Sequence, residues 1–154
     1  MLINTPRYVE VLAELANSSF EFHLTGSRFF GYYNPESDWD FFVEAQALYG
    51  GSGLLDFLQD AGFYLESSPV DYRGMTGITQ IWKHGYAPVH IQVVEDAKAK
   101  VNVQCTLNSD SRLVTQMGKL SKEGRKALWN AALASFSAGE ERGIRLTRFL
   151  TWPW

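Results

Sequence analysis

The chain has 154 residues, of which 45% are hydrophobic and 20% charged, and these values exclude a disordered or collagen-like protein. The length predicts one domain with its own hydrophobic core. A formal net charge of −3 excludes attraction of a nucleic acid by the molecule as a whole, so such binding would need a local basic patch.

The spacing of apolar residues predicts alternating short helices and strands up to about residue 105. Thr5-Pro6 is typical of a helix start, and apolar residues follow it at helical spacing. Strands are indicated where apolar and polar residues alternate. In chain order we predict a helix at about 5–18, a strand at 20–24, a short helix at 28–32, a turn at 34–37, a strand at 38–43, a helix at 54–61 and strands at 63–65, 70–72, 78–83 and 89–94.

After Glu95 the pattern becomes helical again. We predict a helix at about 96–104 and a longer one at about 121–138, followed by an aromatic tail at 151–154 that could cover the core or contact a partner. Together these elements predict an α/β (α+β) fold with a mixed, mainly antiparallel sheet. We expect its helices largely on one face, with a C-terminal helical segment.

The clearest chemical signal is Gly26-Ser27 followed, after ten intervening residues, by Asp38 and Asp40. Alternate residues of a strand point from the same face, so Asp38 and Asp40 are close enough to share one or two divalent cations. Gly26 lets the backbone approach a phosphate, and Ser27 stands where a helix start offers free N–H groups. A solvated strand edge is the alternative, but aspartate is disfavoured in strands. The pattern therefore predicts a joint metal and anion site.

These residues resemble the nucleotidyltransferase superfamily that includes DNA polymerase beta, and in particular its small single-domain members. The family pattern is a hydrophobic residue, Gly-Ser, a short helix with a later glycine, and Ser-Asp-x-Asp in a strand. The chain has LTGSRFFG at residues 24–31 and SDWDFFV at residues 37–43. The resemblance implies transfer of a nucleoside monophosphate from ATP or another nucleoside triphosphate to a hydroxyl of a small molecule, a protein or an RNA end.

The resemblance also implies roles for the site residues. Asp38 and Asp40 would be catalytic and would bind Mg²⁺ or Mn²⁺. Residues 1–105 would form the nucleotidyltransferase-like core, and residues 106–154 a C-terminal helical extension of the same domain. Four residues are candidates for nucleotide binding: Gly26, Ser27, Arg28 and Ser37.

The third carboxylate of the family pattern is replaced by histidine. The strand that fits the pattern is VHIQVV at residues 89–94, and His90 stands where the family has an aspartate that binds the catalytic metal. Imidazole is a poor ligand for magnesium. Three interpretations stay open: a ligand with altered metal preference, a general base, or loss of the third acid in a protein that binds nucleotide without efficient transfer. Nearby acidic alternatives, all outside the strand pattern, are Glu66, Asp71 and Glu95.

The alternative function is therefore a catalytically impaired protein of this fold that binds a nucleotide or a protein partner as a regulator or inhibitor. Association with a second copy of the chain is left open. We interpret a basic cluster near the last helix as a solvated helix end rather than a phosphate contact. Its members are Lys119, Lys122, Arg125 and Lys126. His23 and His84 are interpreted as structural or surface residues.

The first residues, MLIN, lack a basic start followed by a long apolar stretch, and nowhere do about 18 apolar residues run together. We therefore predict a cytoplasmic protein without membrane contact. The single cysteine, Cys105, cannot form an internal disulfide, and we interpret it as a small buried residue rather than a nucleophile.

Overall fold

The computed structural model describes residues 7–48, 51–67 and 78–142. In this part of the chain six α-helices surround one sheet of five strands. The helices are α1 (Arg7–Asn17), α2 (Gly26–Phe30), α3 (Leu54–Asp60), α4 (Ala97–Asn108), α5 (Ser111–Lys119) and α6 (Lys122–Arg142), and Ala45–Leu48 form a 3-10 helix. The strands are β1 (His23–Thr25), β2 (Trp39–Glu44), β3 (Phe63–Ser67), β4 (Ile78–His84) and β5 (Val89–Val94).

The sheet has the strand order β1-β2-β5-β4-β3. Its neighbouring strands run antiparallel except for β2 and β5, which are parallel and lie at its centre. Strands β4 and β5 form an antiparallel hairpin, with Lys83 opposite His90. The predicted α/β fold with a mixed, mainly antiparallel sheet is confirmed.

Helices cover both faces of the sheet, so our expectation that they lie largely on one face is wrong. Val89, Ile91 and Val93 of β5 are buried on the face that packs against α1 and α3. Phe42 of β2 and Val94 of β5 are buried on the other face, in the cluster formed with α4, α5 and α6. Each face of the central strands carries buried apolar side chains, and these must be covered.

Other differences concern the C-terminal half. Helix α5 was not predicted; it begins after Asp110, whose carboxylate accepts hydrogen bonds from the backbone N–H groups of Arg112 and Leu113. Cys105 is exposed rather than buried, because α4 buries a different face, which contains Val103 and Leu107. Residues 70–72, with Asp71, and the tail at 151–154 lie outside the described residues.

His84 has the structural role that we predicted. Its Nδ1 accepts hydrogen bonds from the backbone N–H groups of Tyr86 and Ala87, so its Nε2 carries the proton and donates to the carbonyl of Ala61 at 2.9 Å. His23 stands 3.7 Å from Glu21 at the surface. Among the helices of the described residues, none is long and apolar enough to cross a membrane.

Candidate functional site

The site is built where β1 turns into α2. Thr25 ends β1 opposite Asp40 of β2, and Gly26 turns the chain with a φ of +70°. A Cβ at Gly26 would stand 2.6 Å from Asp40 Oδ2, closer than real Cβ atoms come to such an oxygen. Two features therefore require glycine at position 26: the left-handed backbone and the close approach of the Asp40 carboxylate.

Gln104 of α4 holds the turn between β1 and α2 through two hydrogen bonds. Its side chain is 1% exposed, and its Nε2 donates to the carbonyl of Leu24 at 2.8 Å. The hydroxyl of Thr25 donates to Gln104 Oε1 at 2.7 Å. One buried amide thus holds the end of the strand that leads into Gly26.

We expect Gln104→Leu to lower the free energy of unfolding by about 1–3 kcal/mol, since it leaves the buried Thr25 hydroxyl without its acceptor. Urea denaturation measures the loss. Gln116→Leu, at an exposed position of α5, is the control and should be nearly neutral. Equal stability of the two variants would show that the buried amide of Gln104 does not stabilise the turn between β1 and α2.

The three residues predicted to be catalytic lie together: Asp40 is in β2, Asp38 stands two residues before it, just ahead of the strand, and His90 is in β5. Asp40 is paired with His90 in the parallel register of the two strands. His90 Nδ1 is 3.3 Å from Asp40 Oδ1 and 3.7 Å from Asp38 Oδ2. The side chains of Asp40, His90 and Asp38 are 21%, 25% and 48% exposed, so a ligand can reach all three.

The acidic alternatives to His90 lie elsewhere. Glu66 forms an ion pair with Lys83 at 2.7 Å. Glu95 lies between β5 and α4, and neither it nor Glu66 lines the cavity beside Asp38. Within the described residues these two acids therefore do not replace the missing carboxylate.

A cavity of about 420 Å³ opens beside the aspartates, which is the size of a small-molecule site. The sheet side of its wall contains most of the predicted site residues: Gly26, Ser27, Ser37, Asp38, Asp40 and His90. An apolar part of the wall comes from both the sheet and the helices: Phe42, Ile78, Ile81, Met117 and Trp129. The cavity thus combines a charged part with an apolar one.

Helix α6 adds basic side chains to the same cavity. Lys122, Arg125 and Lys126 line it, at the i, i+3, i+4 spacing that places residues on one helix face. We interpreted this cluster as a solvated helix end; three of its four members lie on the cavity wall, and Lys122 among them is exposed. Lys119 is not part of the wall.

The contacts of these side chains leave their charge available to a ligand. Arg125 Nη1 donates to the carbonyl of Leu120 at 2.6 Å, and its guanidinium lies 5.1 Å from the ring centre of Tyr32. Lys126 Nζ is 3.4 Å from the carboxylate of Glu123, which is 80% exposed. The Lys126 side chain is 13% exposed, but its partner carboxylate is solvated, so this ion pair contributes little and competes weakly with a bound anion.

Tyr32 contributes a neutral hydroxyl to the cavity. Burial raises the pKa of this hydroxyl, the positive charge of Arg125 opposes the shift, and the negative charge of Asp40 adds to it. The ring stacks on Phe30 with centroids 6.0 Å apart. Tyr32 can therefore donate a hydrogen bond to an anion beside Arg125.

Arg28 does not line the cavity. Its guanidinium lies 4.6 Å from the ring centre of Tyr33 and 4.4 Å from that of Trp39, and Nη2 donates to the carbonyl of Ser37 at 3.1 Å. The hydroxyl of Ser37, although on the cavity wall, accepts from the backbone N–H of Asn34. Both residues hold the turn before Asp38, and their predicted contact with nucleotide stays a prediction.

The donor set fits a magnesium ion only together with a substrate. In residues 7–48, 51–67 and 78–142, no group of three or more His, Cys, Asp or Glu side chains is arranged to hold a metal ion. Mg²⁺, however, is commonly bound through one or two carboxylates, with phosphate oxygens and water as its other ligands. Asp38 and Asp40 offer these two carboxylates, so they fit a metal that arrives with a phosphate ligand rather than a resident metal centre.

Sequence reasoning missed Gln92 and Tyr32 on the cavity wall as well as the basic face of α6. The spacing of Lys122, Arg125 and Lys126 could have indicated one helix face, but no local pattern indicates what that face meets. Comparison with protein-family models, with curated proteins and with solved structures gives no significant match.

Proposed function

We propose that the cavity binds a nucleoside triphosphate with Mg²⁺ or Mn²⁺, and that the protein transfers the nucleoside monophosphate to a hydroxyl acceptor. The observation that supports this best is that three cationic side chains of α6 line the same cavity as the carboxylates of Glu36, Asp38 and Asp40. A triphosphate alone would be repelled by Asp38 and Asp40, and a divalent cation alone would be repelled by Lys122, Arg125 and Lys126. Asp38 and Asp40 would hold a divalent cation that offsets their charge, while the basic side chains of α6 would bind the phosphates.

In the proposed reaction the acceptor oxygen attacks the α-phosphorus, the bond from that phosphorus to the bridging oxygen breaks, and pyrophosphate leaves. When bound, the divalent cation neutralises charge on the phosphates. The basic side chains of α6 bind the negative charge that builds up on pyrophosphate. His90 accepts the proton of the acceptor hydroxyl, and the carboxylate of Asp40 beside Nδ1 stabilises the imidazolium that forms. The resemblance of residues 24–43 to the nucleotidyltransferase superfamily supports the same assignment.

A second candidate function is nucleotide binding without transfer, in a regulator or inhibitor. The position of His90 supports it, since Nδ1 lies within 3.7 Å of both aspartates. A protonated imidazole there is a positive charge at the place where a third carboxylate would help to hold a cation. The two candidate functions differ in the role of His90. In the first it accepts a proton and promotes transfer, and in the second it prevents transfer.

We expect wild-type protein to transfer α-labelled nucleoside monophosphate in the presence of Mg²⁺ or Mn²⁺, and His90→Ala to lower the rate about 10²- to 10⁴-fold, the usual contribution of a general base. The measurement uses each of the four nucleoside triphosphates with RNA, protein and small-molecule fractions as acceptors. His23→Ala removes an imidazole outside the cavity and should leave transfer unchanged.

His90→Asp separates the two candidates. Under the proposed transfer function, with His90 as the base, this variant is slower than wild type. If wild-type protein binds nucleotide but transfers nothing, and His90→Asp gains transfer, the second candidate replaces the first. Absence of nucleotide binding by wild-type protein would contradict both.

A further inference from the structure

The apolar part of the cavity contains a polar atom that has no partner. Gln92 of β5 lines the cavity, and its Oε1 is buried and accepts no hydrogen bond. In the described residues two other side-chain atoms share this condition, Arg28 Nε and Trp39 Nε1, and neither residue lines the cavity. A buried carbonyl oxygen without a hydrogen-bond donor costs free energy and is rare in folded proteins. A ligand that donates a hydrogen bond to this oxygen would remove that cost.

Gln92 lies next to the charged residues on the same face of the sheet. It is two residues after His90, and its neighbours across the strands are Phe42 on β2 and Ile81 on β4. All four residues line the cavity. A ligand with phosphates beside Asp40 can therefore extend over Gln92, between apolar side chains.

The remaining wall around Gln92 is apolar, and its side chains are only 2–6% exposed. Phe42 and Trp129 contact each other with ring centroids 6.0 Å apart, and Met117 and Ile78 complete the apolar surface. Aromatic and apolar side chains of this kind bind bases through stacking and burial. Among the parts of a nucleoside triphosphate, the base is the one that fits this surface.

We propose that this part of the cavity binds the base and that Gln92 selects adenine, an inference that rests on the proposed function. An amide offers an acceptor beside a donor, and adenine offers the complementary donor N6 beside the acceptor N7. When a purine is bound by this edge, guanine presents two acceptors, O6 and N7, and leaves Gln92 Oε1 without a donor. Pyrimidines can pair with an amide, but their single ring covers less of the apolar wall.

The test measures binding of ATP, GTP, CTP, UTP and inorganic tripolyphosphate to the full chain by calorimetry with Mg²⁺. We expect ATP to bind at least about tenfold more tightly than the other three nucleotides. Gln92→Met keeps the side-chain length but removes the amide. It should weaken ATP binding about tenfold, leave tripolyphosphate binding unchanged, and leave the thermal midpoint unchanged or higher, because Oε1 has no partner to lose.

Gln116→Met, which makes the same change at an exposed position of α5, should alter none of these values. Gln92→Glu is a second variant that removes both donors at constant volume, and it should lower the ratio of ATP to GTP affinity. Equal affinity for the four nucleotides, or unchanged ATP binding by Gln92→Met, overturns the inference while the proposed function stands. Absence of binding by every probe, tripolyphosphate included, overturns the proposed function itself.

Discussion

The double variant Asp38→Asn with Asp40→Asn should lose transfer by about three orders of magnitude or more and should bind ATP equally with and without Mg²⁺. Asparagine keeps the volume of aspartate, so the tight contact between residue 40 and Gly26 is retained while the charge is removed. Removing one electrostatic contact to the reacting phosphate commonly costs about 10²- to 10³-fold, and this variant removes two. Transfer rates and calorimetric ATP binding, each with and without Mg²⁺, measure the effect.

The matched control is Asp56→Asn with Asp60→Asn, which removes the same charge from α3. Both residues are exposed, and α3 packs on the face of the sheet that does not contain the cavity. This variant should transfer at the wild-type rate and keep its dependence on Mg²⁺. Transfer by the cavity variant within about tenfold of the control would contradict the assignment of Asp38 and Asp40 as metal ligands.

The carboxylate pair was predictable from sequence because it depends on a local rule. Successive residues of a strand point to opposite faces, and this places Asp38, Asp40 and Phe42 on the cavity side while Trp39 and Phe41 pack on the other. The parallel pairing of β2 with β5 then brings His90 beside Asp40. The alternation of side chains within each strand can be predicted from sequence, whereas the pairing of residues between β2 and β5 cannot.

The basic part of the site was not predictable, since it depends on packing between distant segments. Helix α6 is placed over the sheet by contacts such as that of Trp129 with Phe42. Nothing near Lys122 or Arg125 in the sequence indicates that contact. Arg28 illustrates the opposite case: it is adjacent to the Gly-Ser motif, yet aromatic rings and backbone carbonyls hold it away from the cavity.

The second prediction with a large effect concerns Gly26→Ala. The left-handed backbone at residue 26 makes alanine cost about 1–2 kcal/mol of stability. The added Cβ also meets Asp40 Oδ2 at 2.6 Å, so the carboxylate must move. Because displacing a catalytic group by about 1 Å can cost roughly 10²-fold, we expect transfer to fall by at least that factor.

Gly31→Ala is the control for the backbone alone. Gly31 also has a positive φ, +91°, but a Cβ there meets no atom within 4 Å. Both variants should lose similar stability in urea denaturation, whereas only Gly26→Ala should lose transfer and Mg²⁺-dependent ATP binding. Equal losses of transfer would mean that the strained backbone, not the position of the Asp40 carboxylate, limits the reaction. A loss confined to Gly26→Ala would show that this glycine serves the site by leaving room for the carboxylate.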